Sequence, residues 1–320
     1  MKTLLLLSKH NLKLSITEAF SLLEIDDYGL KDCLLITNKK IKHELIERLA
    51  YTKKAYTLLF ESTYKDLTKN IQNFNWQKVY KKDFCVRRFH LSNSKDTLKE
   101  KDIADIIWNK LKNPKVNLKT PKTSIEFLLA NNKVYCCLLT HENKEPFEER
   151  RAHLRPELHP TSLSPKLARA CINLTGVKKG RIADPFCGSG GILIEAGLIN
   201  LKPVGYDINQ IQLNRSKINL DHYKVKSYKL IKEDATDIKK KFNYIITDLP
   251  YGRNTSVKDI DGLYLKFLRN LKKTLGKKAV IIFPSNVNHK KLIKTARLKI
   301  EKEFIYYLHK SLSKTITVLH

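Results

Sequence analysis

Four aspartates close four short apolar runs: Asp184 in RIAD, Asp207 in VGYD, Asp234 in LIKED and Asp248 in YIITD. Between the first and second lies a glycine-rich turn, Cys187-Gly188-Ser189-Gly190-Gly191, followed by the apolar stretch Ile192-Leu193-Ile194. Carboxylates so spaced can accept hydrogen bonds from an ammonium group, from ribose hydroxyls and from an amino group. Glycines beside them let a ligand come close to the backbone.

The residues around the turn exclude several ligands. A phosphate loop needs Lys-Ser/Thr after its last glycine; Ile192 stands there. A dinucleotide turn read from Gly188 needs a third glycine where Leu193 sits. An adenylating Ser-Gly-Gly-x-Asp-Ser loop fails because Ile192-Leu193-Ile194 follow Ser189-Gly190-Gly191. A cofactor without phosphates remains, and S-adenosylmethionine carries the ammonium that Asp184 could receive. Asp207, 23 residues further on, stands where an acid takes ribose hydroxyls in nucleotide-binding sheets. Asp234 could accept from the adenine amino group.

The fourth acid begins Asp248-Leu249-Pro250-Tyr251-Gly252-Arg253-Asn254. A carboxylate, a backbone carbonyl and an aromatic ring in sequence suit methylation of an exocyclic amine on a planar base. Asp248 and the Leu249 carbonyl would hold the two N–H groups and Tyr251 would stack on the base. Arg253 would meet a phosphate or a flanking base.

These residues need a frame. From Ser162 on, strand and helix patterns alternate, predicting an α/β domain with a mostly parallel seven-stranded sheet, helices on both faces and an antiparallel edge strand. Ser164 and Pro165 read as the N-cap and first position of its first helix. Residues 1–61 read β-α-β-α-β, a ferredoxin-like α+β unit whose first helix would start at Ser15, with Glu18 completing a capping box. Residues 62–141 form a second unit that ends in a hairpin turning at Asn131-Asn132. Residues 142–161, charged and proline-containing, read as a linker.

Together, DPFCGSGG, GYDI, EDATD and TDLPYGR, with HPTSLSPKLARA before them, resemble the Rossmann-like class I methyltransferases that modify exocyclic amines. The whole chain is similar to THUMP-domain tRNA methyltransferases, in particular the archaeal family forming N2-methyl- and N2,N2-dimethylguanosine at position 10 of tRNA. The resemblance implies S-adenosyl-L-methionine as cofactor. Asp184, Gly188 and Gly190 would line its methionine part, Asp207 its ribose, and Asp234 with Ala235 its adenine, with Cys187 and Ile208 as further cofactor-binding residues. Asp248, Leu249, Pro250 and Tyr251 would hold the target guanine. Residues 62–141 would be the THUMP unit that grips tRNA. Leu249 departs from the family pattern, which usually has proline there.

The formal net charge is +29, and residues 151–320 hold +20 of it. Such an excess favours a polyanionic partner. Arg87, Arg88, Arg150, Arg151, Arg155 and Arg253 are the expected RNA contacts. Six cysteines show no metal-ligand spacing. The first apolar run stops at Leu7 with no cleavage pattern after it, which predicts a cytoplasmic protein. Other readings are N2 methylation at another tRNA position such as 6, amine methylation of DNA or rRNA, and tRNA binding without catalysis.

Overall fold

The structure is a computed structural model that describes residues 2–92, 98–158, 163–251, 259–309 and 312–320. It contains two compact units. The first comprises Met1–Leu12, Ile25–Glu47 and Thr52–Lys144; the second comprises Lys13–Glu24, Arg48–Tyr51 and Glu145–His320.

In the first unit, β1 (Lys2–Leu7), β2 (Gly29–Lys31), β3 (Leu34–Thr37), β4 (Thr52–Thr63), β5 (Phe84–His90), β6 (Thr123–Ala130) and β7 (Lys133–Glu142) form one sheet. Its order is β2-β3-β1-β4-β7-β6-β5. The expected boundary at residues 61 and 62 therefore falls inside β4. That strand pairs with β1 on one side and β7 on the other, so residues from both expected units share a sheet. The hairpin between β6 and β7 turns where predicted, with φ of +50° at Asn131 and +63° at Asn132, as a tight hairpin turn requires.

The first helix, α1 (Leu12–Leu23), begins three residues before the expected cap. Ser15 is buried inside it, and Glu18 is no capping residue. Its carboxylate accepts from the backbone N–H groups of Ala50 and Tyr51 at 2.7 and 2.9 Å and from Asn173 Nδ2 at 2.8 Å. Nearly all of α1 thus belongs to the second unit, contrary to its expected place in an N-terminal domain.

The second unit has β8 (Arg181–Asp184), β9 (Lys202–Asp207), β10 (Lys229–Lys232), β11 (Phe242–Asp248), β12 (Leu275–Pro284), β13 (Ile300–His309) and β14 (Leu312–Leu319). Their order is β10-β9-β8-β11-β12-β14-β13. The five strands from β10 to β12 are parallel, and β14 runs antiparallel to both β12 and β13. The antiparallel strand is thus one place in from the edge, because the final hairpin folds back between β12 and β13. Otherwise this is the predicted Rossmann-like α/β sheet.

Alternate residues of one strand serve opposite faces of this sheet. Ile246, with Val280 and Ile282, packs in a cluster with Leu167 and Cys171 of α5 (Pro165–Leu174). Ile245, with Ala279 and Ile281, packs with Phe267 and Leu271 of α8 (Ile260–Thr274). Three further helices, α6 (Gly191–Leu198), α7 (Gln210–His222) and α9 (His289–Thr295), complete the layers.

The expected linker is packed rather than free. Phe147, Arg150 and Arg155 are buried. Arg150 and Arg169 both reach the fully buried Glu195 carboxylate, at 2.7 and 2.8 Å, and Arg150 also pairs with Glu145. Charge composition alone reads as solvent-exposed chain; here the charges neutralise one another inside the fold.

Candidate active site

The order of the parallel strands reverses between β8 and β11. Open α/β sheets bind ligands at the carboxyl ends of strands beside such a reversal. Asp184, Asp207 and Asp248 are the last residues of β8, β9 and β11, and Asp234 follows β10 by two residues.

Asp184 is buried, and its Oδ1 accepts from the Thr247 hydroxyl at 2.6 Å and from the Phe186 N–H at 3.1 Å. Burial pushes its carboxyl up to about 7; those two hydrogen bonds oppose the shift, and the negative charges of Asp248 and Asp207 add to it.

The glycine turn is tied to the next strand. The Cys187 N–H donates to the Tyr206 carbonyl at 2.9 Å, and the Gly188 N–H donates to Asp207 Oδ2 at 3.0 Å. Asp207 Oδ1 accepts from the Asn209 N–H at 2.8 Å, starting α7. Gly188 and Gly190 hold φ of +50° and +84°, a region glycine enters freely. Their surroundings differ. A Cβ at Gly188 would meet nothing within 4 Å, whereas one at Gly190 would lie 2.4 Å from Ser216 Oγ of α7. Gly190 is bare for helix packing, Gly188 over open space. The Cys187 side chain packs in an apolar cluster with Leu193 and Leu213, so only its backbone can face a ligand.

Beyond this turn, Ile208 is 67% exposed, an apolar side chain left in the open beside the Asp207 carboxylate. Asp234 Oδ1 accepts from the Thr236 N–H at 2.8 Å, and the buried Ala235 is held by Asn270 Nδ2 on its carbonyl at 3.1 Å. Bare backbone at Gly188, an exposed Ile208, and carboxylates at the ends of neighbouring strands fit an adenosine-type cofactor.

At the end of β11, the Leu249 N–H donates to the Ile282 carbonyl at 3.0 Å. The Leu249 side chain is buried in the core, so this residue can offer a ligand only its backbone. The Tyr264 hydroxyl donates to the Pro250 carbonyl and braces the turn from α8. The Tyr251 hydroxyl lies 3.4 Å from Asp248 Oδ1. On the other oxygen, Lys314 Nζ of β14 donates to Asp248 Oδ2 at 2.6 Å. The same ammonium lies 4.9 Å from the Tyr251 ring centroid. Burial raises the Asp248 carboxyl, and Lys314 and Tyr251 pull it back down.

Thr247, Tyr264 and Lys314 carry no sequence signal of their own. Lys314 reads as one more lysine in a lysine-rich chain, and only the pairing of β14 with β12 brings it to Asp248.

The expected RNA contacts divide. Arg151 is exposed and pairs with Glu148. Arg87 and Arg88 are half-buried on β5. Arg87 donates to the Leu118 carbonyl at 2.9 Å, and the Arg88 N–H donates to Glu100 at 2.7 Å. Arg150 and Arg155 are buried and out of reach of a phosphate backbone. Arg155 Nε donates to the Arg150 carbonyl at 2.9 Å, and its guanidinium lies against Gly191, where a Cβ would meet Nη1 at 2.8 Å. Arg253 lies outside the described residues. In the first unit, His43, Glu47 and His141 bring one potential ligand atom each within 4.8 Å, and His43 and Glu47 are an exposed i,i+4 pair. No helix among the described residues is long and apolar enough to cross a membrane.

A family profile described as an RMKL-like methyltransferase domain matches residues 152–314, and one described as a DNA methylase matches residues 18–217. The chain is 34% identical to the tRNA (guanine(10)-N2)-dimethyltransferase of Methanothermobacter thermautotrophicus, over 86% of this chain and 84% of that protein. It is 34% identical to the protein of the same name from Pyrococcus abyssi, over 90% of each. Among solved structures, TrmN from Thermus thermophilus shares the fold, with a TM-score of 0.55 at 16% identity over 100% of this chain and 99% of that one.

Proposed function

The chain belongs to the family of tRNA (guanine(10)-N2)-dimethyltransferases, and on that premise we propose that it methylates the exocyclic N2 amine of guanosine in tRNA, at position 10, using S-adenosylmethionine. The observation that carries this reading is the end of β11. There Asp248, the Leu249 backbone and Tyr251 stand together beside the strand-order reversal.

Gly188, Asp207, Ile208 and Asp234 would hold the cofactor, which when bound supplies an electrophilic methyl group. The rest is done by the chain. An exocyclic amine is a poor nucleophile because its lone pair is delocalised into the ring. Asp248 Oδ1 and the Leu249 carbonyl accept its two N–H bonds and turn the lone pair out of conjugation. Tyr251 stacks on the base, which is worth roughly 1–3 kcal/mol. Fixing base and donor in line supplies several kcal/mol of the barrier. Asp248 then takes the proton that the nitrogen releases.

Capture of tRNA is assigned to the first unit, with residues 62–141 acting as its THUMP-like part. The excess of 61 Lys and Arg over 32 Asp and Glu supports a polyanionic partner. The cytoplasm is the location that this reading proposes.

The test is to incubate the protein with unmodified tRNA transcript and S-adenosylmethionine bearing a deuterated methyl, then digest to nucleosides for mass spectrometry. Labelled N2-methylguanosine and N2,N2-dimethylguanosine, mapped to position 10 by nuclease fragments, are expected. Labelled methyladenosine or methylcytidine would overturn the choice of base, and label at position 6 would overturn the site.

A further inference from the structure

Lysine is almost never fully buried unless paired, and Lys314 is 4% exposed. Its strand position places it opposite Pro284 of β12 and Tyr306 of β13. Its ammonium donates to Asp248 Oδ2 at 2.6 Å and lies 4.9 Å from the centre of the Tyr251 ring. One cation therefore touches both side chains that would handle the base. Stability does not account for it: a buried ion pair is often no more stable than apolar side chains of the same volume.

Among the described residues, the groups around Asp248 leave little else to balance its charge. Lys314 faces it from β14, Tyr251 from the following turn, Tyr264 from α8, Asp184 from β8 and Cys171 from α5. Lys314 is the cation among them.

We propose that Lys314 is a positioning residue of the methyl-transfer site: its ammonium holds Asp248 as a carboxylate, occupies Oδ2 so that Oδ1, which takes the Tyr251 hydroxyl on one lone pair, presents its other lone pair to the incoming amine, and backs one face of Tyr251 so that the base stacks on the other. This rests on the amine-methylation reading above. Two consequences follow from the geometry. Asp248 then offers the base one oxygen of fixed direction beside the Leu249 carbonyl, which aligns the nitrogen rather than only binding it. The proton released by the amine passes to a carboxylate already neighboured by a cation, so the Asp248–Lys314 pair goes from neutral to a single positive charge, and returning the proton to solvent resets the site.

The experiment measures single-turnover methylation of tRNA from pH 5 to 9 for wild type, Lys314→Met and Lys314→Arg, with cofactor affinity by calorimetry as the check on folding. In Lys314→Met, burial of Asp248 is no longer offset, so the acid limb of the rate profile should move up by about 1 pH unit or more, in line with the loss of a neighbouring opposite charge. Turnover at pH 7 should fall at least about tenfold, while cofactor affinity stays within threefold of wild type. Lys314→Arg should restore the limb and most of the turnover. In an Asp248→Asn background, where no carboxylate remains to be held, Lys314→Met should cost little more. An unshifted limb in a cofactor-binding Lys314→Met protein would overturn the proposal, as would an equal loss in the Asp248→Asn background. If Lys314→Met does not fold, Lys314→Arg decides alone: retained turnover supports the charge-holding role, and a loss of about 10²-fold with intact cofactor binding rejects it. Failure of the amine-methylation reading would look different, since wild type itself would then put no label on guanosine N2.

Discussion

The Thr247 hydroxyl donates to Asp184 Oδ1 at 2.6 Å, joining the carboxyl ends of β11 and β8 across the reversal of strand order. The last side chain before Asp248 is thereby locked to the first acid of the glycine turn. The Phe186 N–H lies on both partners, 3.1 Å from Asp184 Oδ1 and 3.2 Å from the Thr247 oxygen. Thr247→Val keeps the shape and removes the donor. It should destabilise the protein by about 1–3 kcal/mol, the cost of leaving a buried acceptor short of a partner. Chemical denaturation would measure this; an unchanged midpoint would mean the bond contributes nothing net.

The Asp184 carboxyl stands at about 7, above the ordinary 3.8. A carboxyl whose folded-state value is raised stabilises the fold while it is protonated. That contribution is fully present below about pH 4 and is lost as pH rises through about 7. Cofactor-free protein should therefore lose stability over that window, and Asp184→Asn should lose less. Melting temperatures at pH 5 and 8 for both proteins give the comparison, and parallel slopes would refute the link.

Gly188 and Gly190 should respond to alanine to different degrees. At Gly190, φ of +84° and Ser216 Oγ at 2.4 Å from the added Cβ predict a loss of about 1–3 kcal/mol, the usual cost of overpacking. At Gly188 the Cβ enters open space, but φ of +50° still strains an alanine by about 1 kcal/mol, so Gly188→Ala should lose less stability than Gly190→Ala yet bind cofactor more weakly. Calorimetry and thermal melts on both variants separate the two roles. Equal cofactor affinity in Gly188→Ala and wild type would place the ligand elsewhere.

Substitutions at Asp248 and Asp207 should separate chemistry from binding. Asp248→Ala should cut turnover by about 10²-fold or more with cofactor affinity nearly intact. Asp207→Ala should instead weaken cofactor binding, and it also removes the acceptor of the Gly188 and Asn209 N–H groups. Near-normal turnover in the first variant, or an unchanged dissociation constant in the second, would contradict these roles.

The aspartates were legible in the sequence because each ends an apolar run, and strand ends in an alternating α/β chain fall on one edge of the sheet. Arg150 and Arg155 were not, since a charged segment with prolines has the composition of an exposed linker, and the buried Glu195 that receives Arg150 lies 45 residues away. Glu18 matched a capping spacing, yet its partners at Ala50, Tyr51 and Asn173 lie far along the chain. The boundary at 61 and 62 failed for the same reason, because a strand shared by two neighbours leaves no local mark. Lys314 is the sharpest case, a site residue legible only through the register of β14.

Strand β14 delivers Lys314 to Asp248 across 66 residues of chain. During synthesis, the glycine turn and all four aspartates leave the ribosome well before that lysine. A product that terminates after β12 carries every acid of the site but lacks the counter-ion of Asp248, and it leaves the apolar edge of β12 unpaired. On the role proposed for Lys314, the acid pocket is therefore complete only once β14 has paired with β12.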